Sequence, residues 1–171
     1  MIIVNTGDGK GKTTASIGQI VRALGHGFKV CLIQLFKGEV FYGEQNILTK
    51  LEGLDFFSYA KKHPYCIKGV ALEQVNRECI PAMEKLAELA DSPKKYDMVV
   101  LEEFNIALRD GFIDKASFLE LIKKLSQKSD IVVTGRSAPM ELVEMADLVA
   151  EMREIKHPYQ KGIAARRGIE F

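Results

Sequence analysis

The nine residues from Thr6 to Thr14 (TGDGKGKTT) constrain the fold more than any other stretch, because they follow an apolar run and precede a segment with helical spacing. Glycine at every second position lets successive backbone N–H groups point into a concave anion site. The N-terminus of the following helix would direct its positive end at the same anion. The stretch fits the phosphate-loop pattern G-x-x-x-x-G-K-[ST], except that Thr6 stands at the first glycine position and Gly7 follows one residue later.

We therefore predict that this loop binds the phosphates of a nucleotide. Within it, Lys12 supplies a full positive charge, and the Thr13 hydroxyl is placed to bind Mg²⁺. A simple glycine-rich turn is the alternative interpretation, but the agreement of strand, loop, Lys-Thr pair and helix argues against it. The motif does not identify a reaction. The predicted nucleotide-binding residues are Thr6, Gly7, Asp8, Gly9, Lys10, Gly11, Lys12, Thr13 and Thr14.

Apolar runs alternate with amphipathic segments along the rest of the chain. Val30–Phe36, Met98–Leu101 and Ile131–Thr134 are typical of strands buried on both faces. Residues 12–26 and 114–128 carry apolar side chains at helical spacing. We predict one α/β domain over residues 1–171, of the P-loop (RecA-like) kind, with a mostly parallel sheet covered by helices on both faces.

The less regular segments leave alternative interpretations open. Pro81 should kink the helix predicted over 70–90 or begin a second one. The irregular stretch 37–68 is either a surface loop or a loop that covers the substrate. The tail, residues 156–171, either lies over the phosphates or is solvated. Further predicted elements are a strand over 54–59, a short helix over 139–146 and a final strand over 148–155.

Charged side chains follow two of the predicted strands. Glu102 and Glu103 come directly after a buried strand, where phosphate-loop proteins place an acid that holds Mg²⁺ or its waters. The other acid of the pair would contact a ribose hydroxyl or orient water. Arg136 follows the next buried strand, and its guanidinium could bind phosphate oxygens bidentately.

Composition excludes several classes of function. The net charge is +1 and no Lys/Arg-rich run occurs, so nucleic acid is not an expected partner. Three widely spaced cysteines, Cys31, Cys66 and Cys79, argue against a disulfide framework or a zinc site and fit a reducing cytoplasm. No signal peptide and no membrane-spanning apolar run are present. We therefore predict a cytoplasmic protein without a membrane partner.

The reaction stays open at this point. His63 and His157 lie in predicted loops without a partnering motif, and no set of residues suggests a protein nucleophile. The residues predict an α/β protein that binds magnesium-ATP. A small-molecule kinase or ATPase, or a module that binds ATP without catalysis, remain alternatives.

Four stretches, in order along the chain, resemble the CobA-type corrinoid adenosyltransferases. The third stretch contains both strand-end acids, and the fourth runs from the strand before Arg136 to the last residue. The matching stretches are TGDGKGKTTASIGQIVRALGHGFKV, then LIQLFKG with Gly43-Glu44, then YDMVVLEEFNIAL, then IVVTGRSAPMELVEMADLVAEMREIKHPYQKGIAARRGIEF.

This resemblance implies transfer of the 5′-deoxyadenosyl group of ATP to the cobalt(I) of a corrinoid, with release of triphosphate. It implies a homodimer and a reduced flavoprotein as electron donor. Lys12, Glu103 and Arg136 would be the catalytic residues, and Thr13 with Glu102 and Glu103 would serve the metal. The loop would hold ATP so that the bond broken lies at the far end of the triphosphate from the usual one.

The sequence departs from the family in two places. Members commonly carry an N-terminal segment that covers the active site, whereas this sequence begins at the first predicted strand. Around residues 59–68, where the family has aromatic residues that help displace the lower cobalt ligand, His63 or Tyr65 would have to take that role. Arg22 matches a family arginine, but it lies roughly 13 Å along the helix from Thr13. We do not expect Arg22 to contact the nucleotide of its own subunit.

Overall fold

A computed structural model describes residues 1–38, 42–62 and 70–171. This part of the chain contains six strands and six α-helices that largely alternate. The strands are Ile2–Thr6 (β1), Val30–Leu35 (β2), Leu54–Tyr59 (β3), Met98–Glu102 (β4), Asp130–Thr134 (β5) and Leu148–Glu151 (β6). The helices are Lys12–Gly25 (α1), Gln45–Leu48 (α2), Leu72–Asp91 (α3), Phe104–Arg109 (α4), Lys115–Leu125 (α5) and Met140–Met145 (α6), and a 3₁₀-helix spans Pro158–Lys161.

The strands form one parallel sheet in the order β3-β2-β4-β5-β1-β6. Val4 of β1 is in register with Val133 of β5 on one side and with Val149 of β6 on the other. Because all the strands run the same way, their carboxyl ends share one edge of the sheet. The segments that follow β1, β2, β4 and β5 therefore meet at that edge.

Helix α1 covers one face of the sheet. Its apolar side chains Ile20 and Ala23 are buried in a cluster with Leu32, Val100 and Val132. The helix starts directly after Gly11, whose φ of 123° is a conformation that residues with a side chain rarely adopt. The packing of this one face thus fixes where the loop between β1 and α1 ends.

Helices α3 to α6 contribute to the core on the opposite face. Leu86 of α3 and Ile122 of α5 are fully buried with Ile33 of the sheet. Phe104 of α4 stacks on Phe118 of α5, with ring centroids 5.7 Å apart. The predicted α/β fold, with helices on both faces of its sheet, is confirmed, and every strand pair is parallel.

Three details refine or differ from the sequence-based expectations. Helix α3 is continuous through Pro81, which excludes the alternative in which a second helix begins there. Helix α4 was not predicted. Strand β6 ends at Glu151 rather than at residue 155, because the chain then turns along the loop after β1: Met152 donates to the Thr6 carbonyl and accepts from Gly9 N–H. No helix among the described residues is long and apolar enough to cross a membrane.

Candidate active site

The loop between β1 and α1 packs tightly against the segment that follows β6. Gly9 donates its backbone N–H to the Met152 carbonyl at 2.7 Å. A Cβ atom at Gly9 would lie 2.8 Å from that same oxygen and 2.7 Å from the carbonyl carbon of Arg153, closer than real Cβ atoms approach. The close approach of Met152 and Arg153 therefore requires glycine at this position, whether or not a ligand also contacts it.

The Lys12 side chain is buried inside the loop. Its ammonium donates to the carbonyl oxygens of Gly7 at 2.6 Å and Gly9 at 2.8 Å, and only 8% of the residue is exposed. Burial lowers the pKa of Lys12, and the positive charge of Arg136 acts in the same direction, whereas Glu103 opposes both. An anion bound in the loop would meet this charge directly.

Glu102 is the centre of a buried hydrogen-bond network next to the loop. It is 1% exposed and accepts hydrogen bonds from three hydroxyl groups. Thr13 donates to Oε1, while Ser16 (3.0 Å) and Thr134 (2.6 Å) donate to Oε2. A buried carboxylate needs such partners because burial removes its water. The predicted closeness of Thr13 and Glu102 is thus present in the structure.

Lys37 completes this network, and the sequence reasoning did not single it out as a site residue. Its ammonium lies 3.0 Å from Thr13 Oγ1, 3.4 Å from Glu102 Oε1 and 3.5 Å from Glu44 Oε1. The ring centroid of Tyr42 is 5.0 Å away. Lys37 comes two residues after β2, and β2 pairs with β4, which carries Glu102. The sequence signal that could have identified Lys37 as a site residue was its position just after a buried strand.

Glu103 occupies a different environment from its neighbour Glu102. Its backbone is left-handed, with φ 65°, and its N–H donates to Thr134 Oγ1 at 3.1 Å. Its buried Oε2 has no hydrogen-bond partner among the described residues. Burial, followed by the charge of Glu102, raises the pKa of Glu103 to about 7, although Lys37, Lys12 and Arg136 oppose this shift. This carboxylate lines the cleft and is available to a ligand.

Arg136 lies in the turn after β5 and is exposed to the same cleft. Side chains from two other segments help to hold this turn. Thr6 Oγ1 accepts a hydrogen bond from the N–H of Ala138 at 3.0 Å, and the Gly135 carbonyl accepts one from the Asn105 amide at 3.0 Å. Thr6 thus positions the arginine turn, and its contact with the nucleotide stays a prediction.

A cleft of about 910 Å³ joins these residues. The predicted loop residues that line it are Asp8, Gly9, Lys10, Gly11, Lys12, Thr13 and Thr14. Glu103 and Arg136 line it as well, whereas Thr6, Gly7 and the buried Glu102 are not among the lining residues. Arg22 is exposed, does not line the cleft and donates to Gln19 at 3.3 Å.

The C-terminal segment also lines this cleft. Residues 168–171 and His157 face the loop, and the Lys10 ammonium donates to the Ile169 carbonyl. Apart from His157, residues 156–169 are exposed, so the choice between a tail that lies over the phosphates and a solvated tail stays a prediction. His63 and Tyr65, the candidates for displacing the lower cobalt ligand, lie outside the described residues.

These features define a class of protein. A buried parallel strand, a glycine-rich loop with a Lys-Thr pair, a helix, and an acid at the end of a second strand together form a nucleotide-binding site of the phosphate-loop type. The fold and the site therefore indicate an α/β protein that binds a nucleoside polyphosphate.

Comparison with known proteins defines the family within that class. The family described as ATP:corrinoid adenosyltransferase BtuR/CobO/CobP matches residues 1–171, and the chain belongs to it. A corrinoid adenosyltransferase of a Sinorhizobium species is 39% identical over the whole chain and 80% of the relative's length. The corrinoid adenosyltransferases of Pseudomonas aeruginosa and Escherichia coli K12 are 34% and 33% identical over the whole chain and 83% and 85% of their own lengths.

Proposed function

We propose that this enzyme transfers the 5′-deoxyadenosyl group of ATP to the cobalt(I) of a corrinoid and releases triphosphate, in the synthesis or salvage of adenosylcobalamin. Family membership supports ATP and a corrinoid as the substrates. The observation that carries the proposal is the set of cationic groups gathered at the loop end of the cleft. Lys12, Lys37 and Arg136 all line it, and each can face a polyanion.

In this reaction the protein's main task is to stabilise the leaving group, because the substrate itself supplies the nucleophile. The cobalt(I) of the substrate supplies an electron pair to form the cobalt–carbon bond at C5′, while the C5′–oxygen bond breaks and its electrons leave with the triphosphate. Lys12 and Arg136 would stabilise the charge that develops on the triphosphate. The loop N–H groups would orient it.

A magnesium ion fits the polar groups beside the loop. Among the described residues there is no cluster of three His, Cys, Asp or Glu side chains that could hold a metal by themselves. Magnesium commonly takes only one or two protein ligands and completes its shell with phosphate oxygens and water. Thr13 and Glu102 are hydrogen-bonded to each other and would supply those ligands, and Glu103 would serve the ribose or a magnesium-bound water. The ion would neutralise the triphosphate oxygens.

Several finer points complete the proposal. We infer that residues 1–171 are one domain, which is supported by the pairing of β1 with β5 and β6. Resemblance to the family supports a homodimer, which light scattering would test, and a reduced flavoprotein as the source of electrons for cobalt(I). The free, buried thiols of Cys31 and Cys79 support the proposal that the protein is located in a reducing cytoplasm.

The test is an anaerobic incubation of the protein with ATP, magnesium and chemically reduced cobalamin. We expect the visible spectrum of a light-sensitive cobalt–carbon product, together with one triphosphate per product formed. Samples without ATP serve as controls. Formation of ADP and phosphate in place of triphosphate, or no alkylated cobalt, would contradict the proposal and favour a kinase or ATPase.

A further inference from the structure

We propose that Lys37 is a tethered cation that occupies the magnesium position of the nucleotide-free enzyme and moves to the triphosphate when magnesium-ATP binds. This inference rests on the proposed function, because it assumes that Thr13 and Glu102 belong to the magnesium site. It adds a role for a residue that the site motifs do not include.

The first support is the use of the Thr13 hydroxyl. Its hydrogen is donated to Glu102, and its oxygen accepts a hydrogen bond from the Lys37 ammonium at 3.0 Å. A magnesium ion bound to Thr13 would bind that same oxygen, and its charge would repel an ammonium held there. Lys37 and the metal therefore compete for one acceptor atom.

The second support is the arrangement of charge. The Lys37 ammonium is within 4 Å of two carboxylates, at 3.4 Å from Glu102 and 3.5 Å from Glu44, and Lys37 is 7% exposed. A lysine ammonium is a compact point charge, so it can replace a metal ion between such groups. It offsets the charge of Glu102, which would otherwise be buried with hydroxyl partners alone. A divalent ion at about 2 Å from the same oxygens would repel the ammonium and displace it.

The third support is the path open to the displaced side chain. Lys37, Tyr42 and Glu44 all line the cleft that also contains Lys12 and Arg136. Four rotatable methylene groups let the ammonium move while the backbone after β2 stays in place. The triphosphate would lie on the loop side of this cleft, so the released ammonium can bind its oxygens. Lys37 would thus contact Glu102 and Thr13 in the nucleotide-free enzyme and the triphosphate in the enzyme with bound magnesium-ATP.

The proposal is tested by measuring two affinities that should change in opposite directions. Titration of the nucleotide-free protein with Mn²⁺, followed by the EPR signal of the free ion, gives the metal affinity. Calorimetry with inorganic tripolyphosphate at saturating magnesium gives the affinity for the leaving group. In Lys37→Met we expect about tenfold tighter Mn²⁺ binding, because the ion no longer competes with a charge-assisted hydrogen bond, and about tenfold weaker tripolyphosphate binding.

Two further variants make the result specific. Lys10→Met removes one positive charge from the same cleft, but Lys10 contacts the Ile169 carbonyl rather than Glu102, so its Mn²⁺ affinity should change by less than about twofold. Lys37→Arg keeps the charge and should bind Mn²⁺ as weakly as the parent protein. If Lys37→Met does not fold, Lys37→Gln, which retains a hydrogen-bond donor, takes its place.

The outcomes separate this inference from the proposed function, since neither measurement uses a corrinoid. A merely structural role for Lys37 would weaken both affinities together. That result, or unchanged Mn²⁺ binding in Lys37→Met, would overturn the inference and leave adenosyl transfer standing. If the parent protein bound no Mn²⁺ even with ATP present, the magnesium site and the role of Lys37 would both be wrong.

Discussion

The variant Glu103→Gln measures the energetic effect of a second carboxylate beside the buried Glu102. Glu103 is held by burial and by the neighbouring charge at a pKa of about 7, compared with an ordinary value of 4.5. The native state therefore binds this proton more tightly than the unfolded chain does. Stability from this group is present below pH 4.5 and is lost as the pH rises to about 7.

The magnitude follows from the difference between the two pKa values. Each unit of pKa corresponds to about 1.4 kcal/mol, so the ionised group destabilises the nucleotide-free protein by on the order of 3 kcal/mol above neutral pH. Glutamine has a similar shape and no charge, and it can donate a hydrogen bond. We expect Glu103→Gln to be more stable than the parent at about pH 8. At about pH 5 this difference in stability should be smaller.

Urea unfolding followed by circular dichroism, with EDTA and without nucleotide, provides the measurement. The free energy of unfolding of the variant minus that of the parent should increase by roughly 2–3 kcal/mol between about pH 5 and about pH 8. Glu120→Gln is the control, because Glu120 is an exposed carboxylate on α5 outside the cleft. Parallel pH profiles for Glu103→Gln and the parent would refute the reasoning.

Four further predictions concern the loop, helix α1 and the start of α5. Lys12→Ala should lower the turnover number about a hundredfold, since it removes a cation at the leaving triphosphate, and near-normal turnover at saturating ATP would contradict that role. Gly9→Ala should destabilise the fold by about 1–3 kcal/mol, because its Cβ would meet Met152 and Arg153. In contrast Gly18→Ala, whose Cβ meets nothing within 4 Å, should stabilise helix α1 by about 0.5–1 kcal/mol, and urea unfolding measures both glycine variants. Asp114→Ala should cost about 1 kcal/mol, because Asp114 caps α5 through the Ser117 N–H, and a change near zero would show that the cap is dispensable.

The strands and amphipathic helices could be predicted because their apolar periodicity follows directly from which face is buried. Helix α4 could not, since Phe104, Asn105, Ile106, Ala107 and Leu108 are all buried. A helix without a polar face has no helical period in its sequence.

The site was predictable where the motif itself sets the geometry. Lys12 and Thr13 follow from the loop, and a strand-end acid beside them follows from parallel strands. The sequence could not separate the tasks of Glu102 and Glu103. In the structure Glu102, the last residue of β4, accepts a hydrogen bond from Thr13, whereas Glu103, which has a left-handed backbone, lines the cleft. Lys37 could not be placed because its position depends on the neighbour order β2–β4, which no local pattern contains.

The position of β1 within the sheet has a consequence for biosynthesis. Strand β1 is synthesised before β5 and β6, yet it lies between them in the sheet, and they are made more than a hundred residues later. The loop that follows β1 also rests on Met152 and Arg153. A nascent chain therefore lacks the scaffold of its own nucleotide site until β6 and the residues directly after it have been synthesised. Such long-range pairing favours slow folding, and ATP can stabilise only the finished protein.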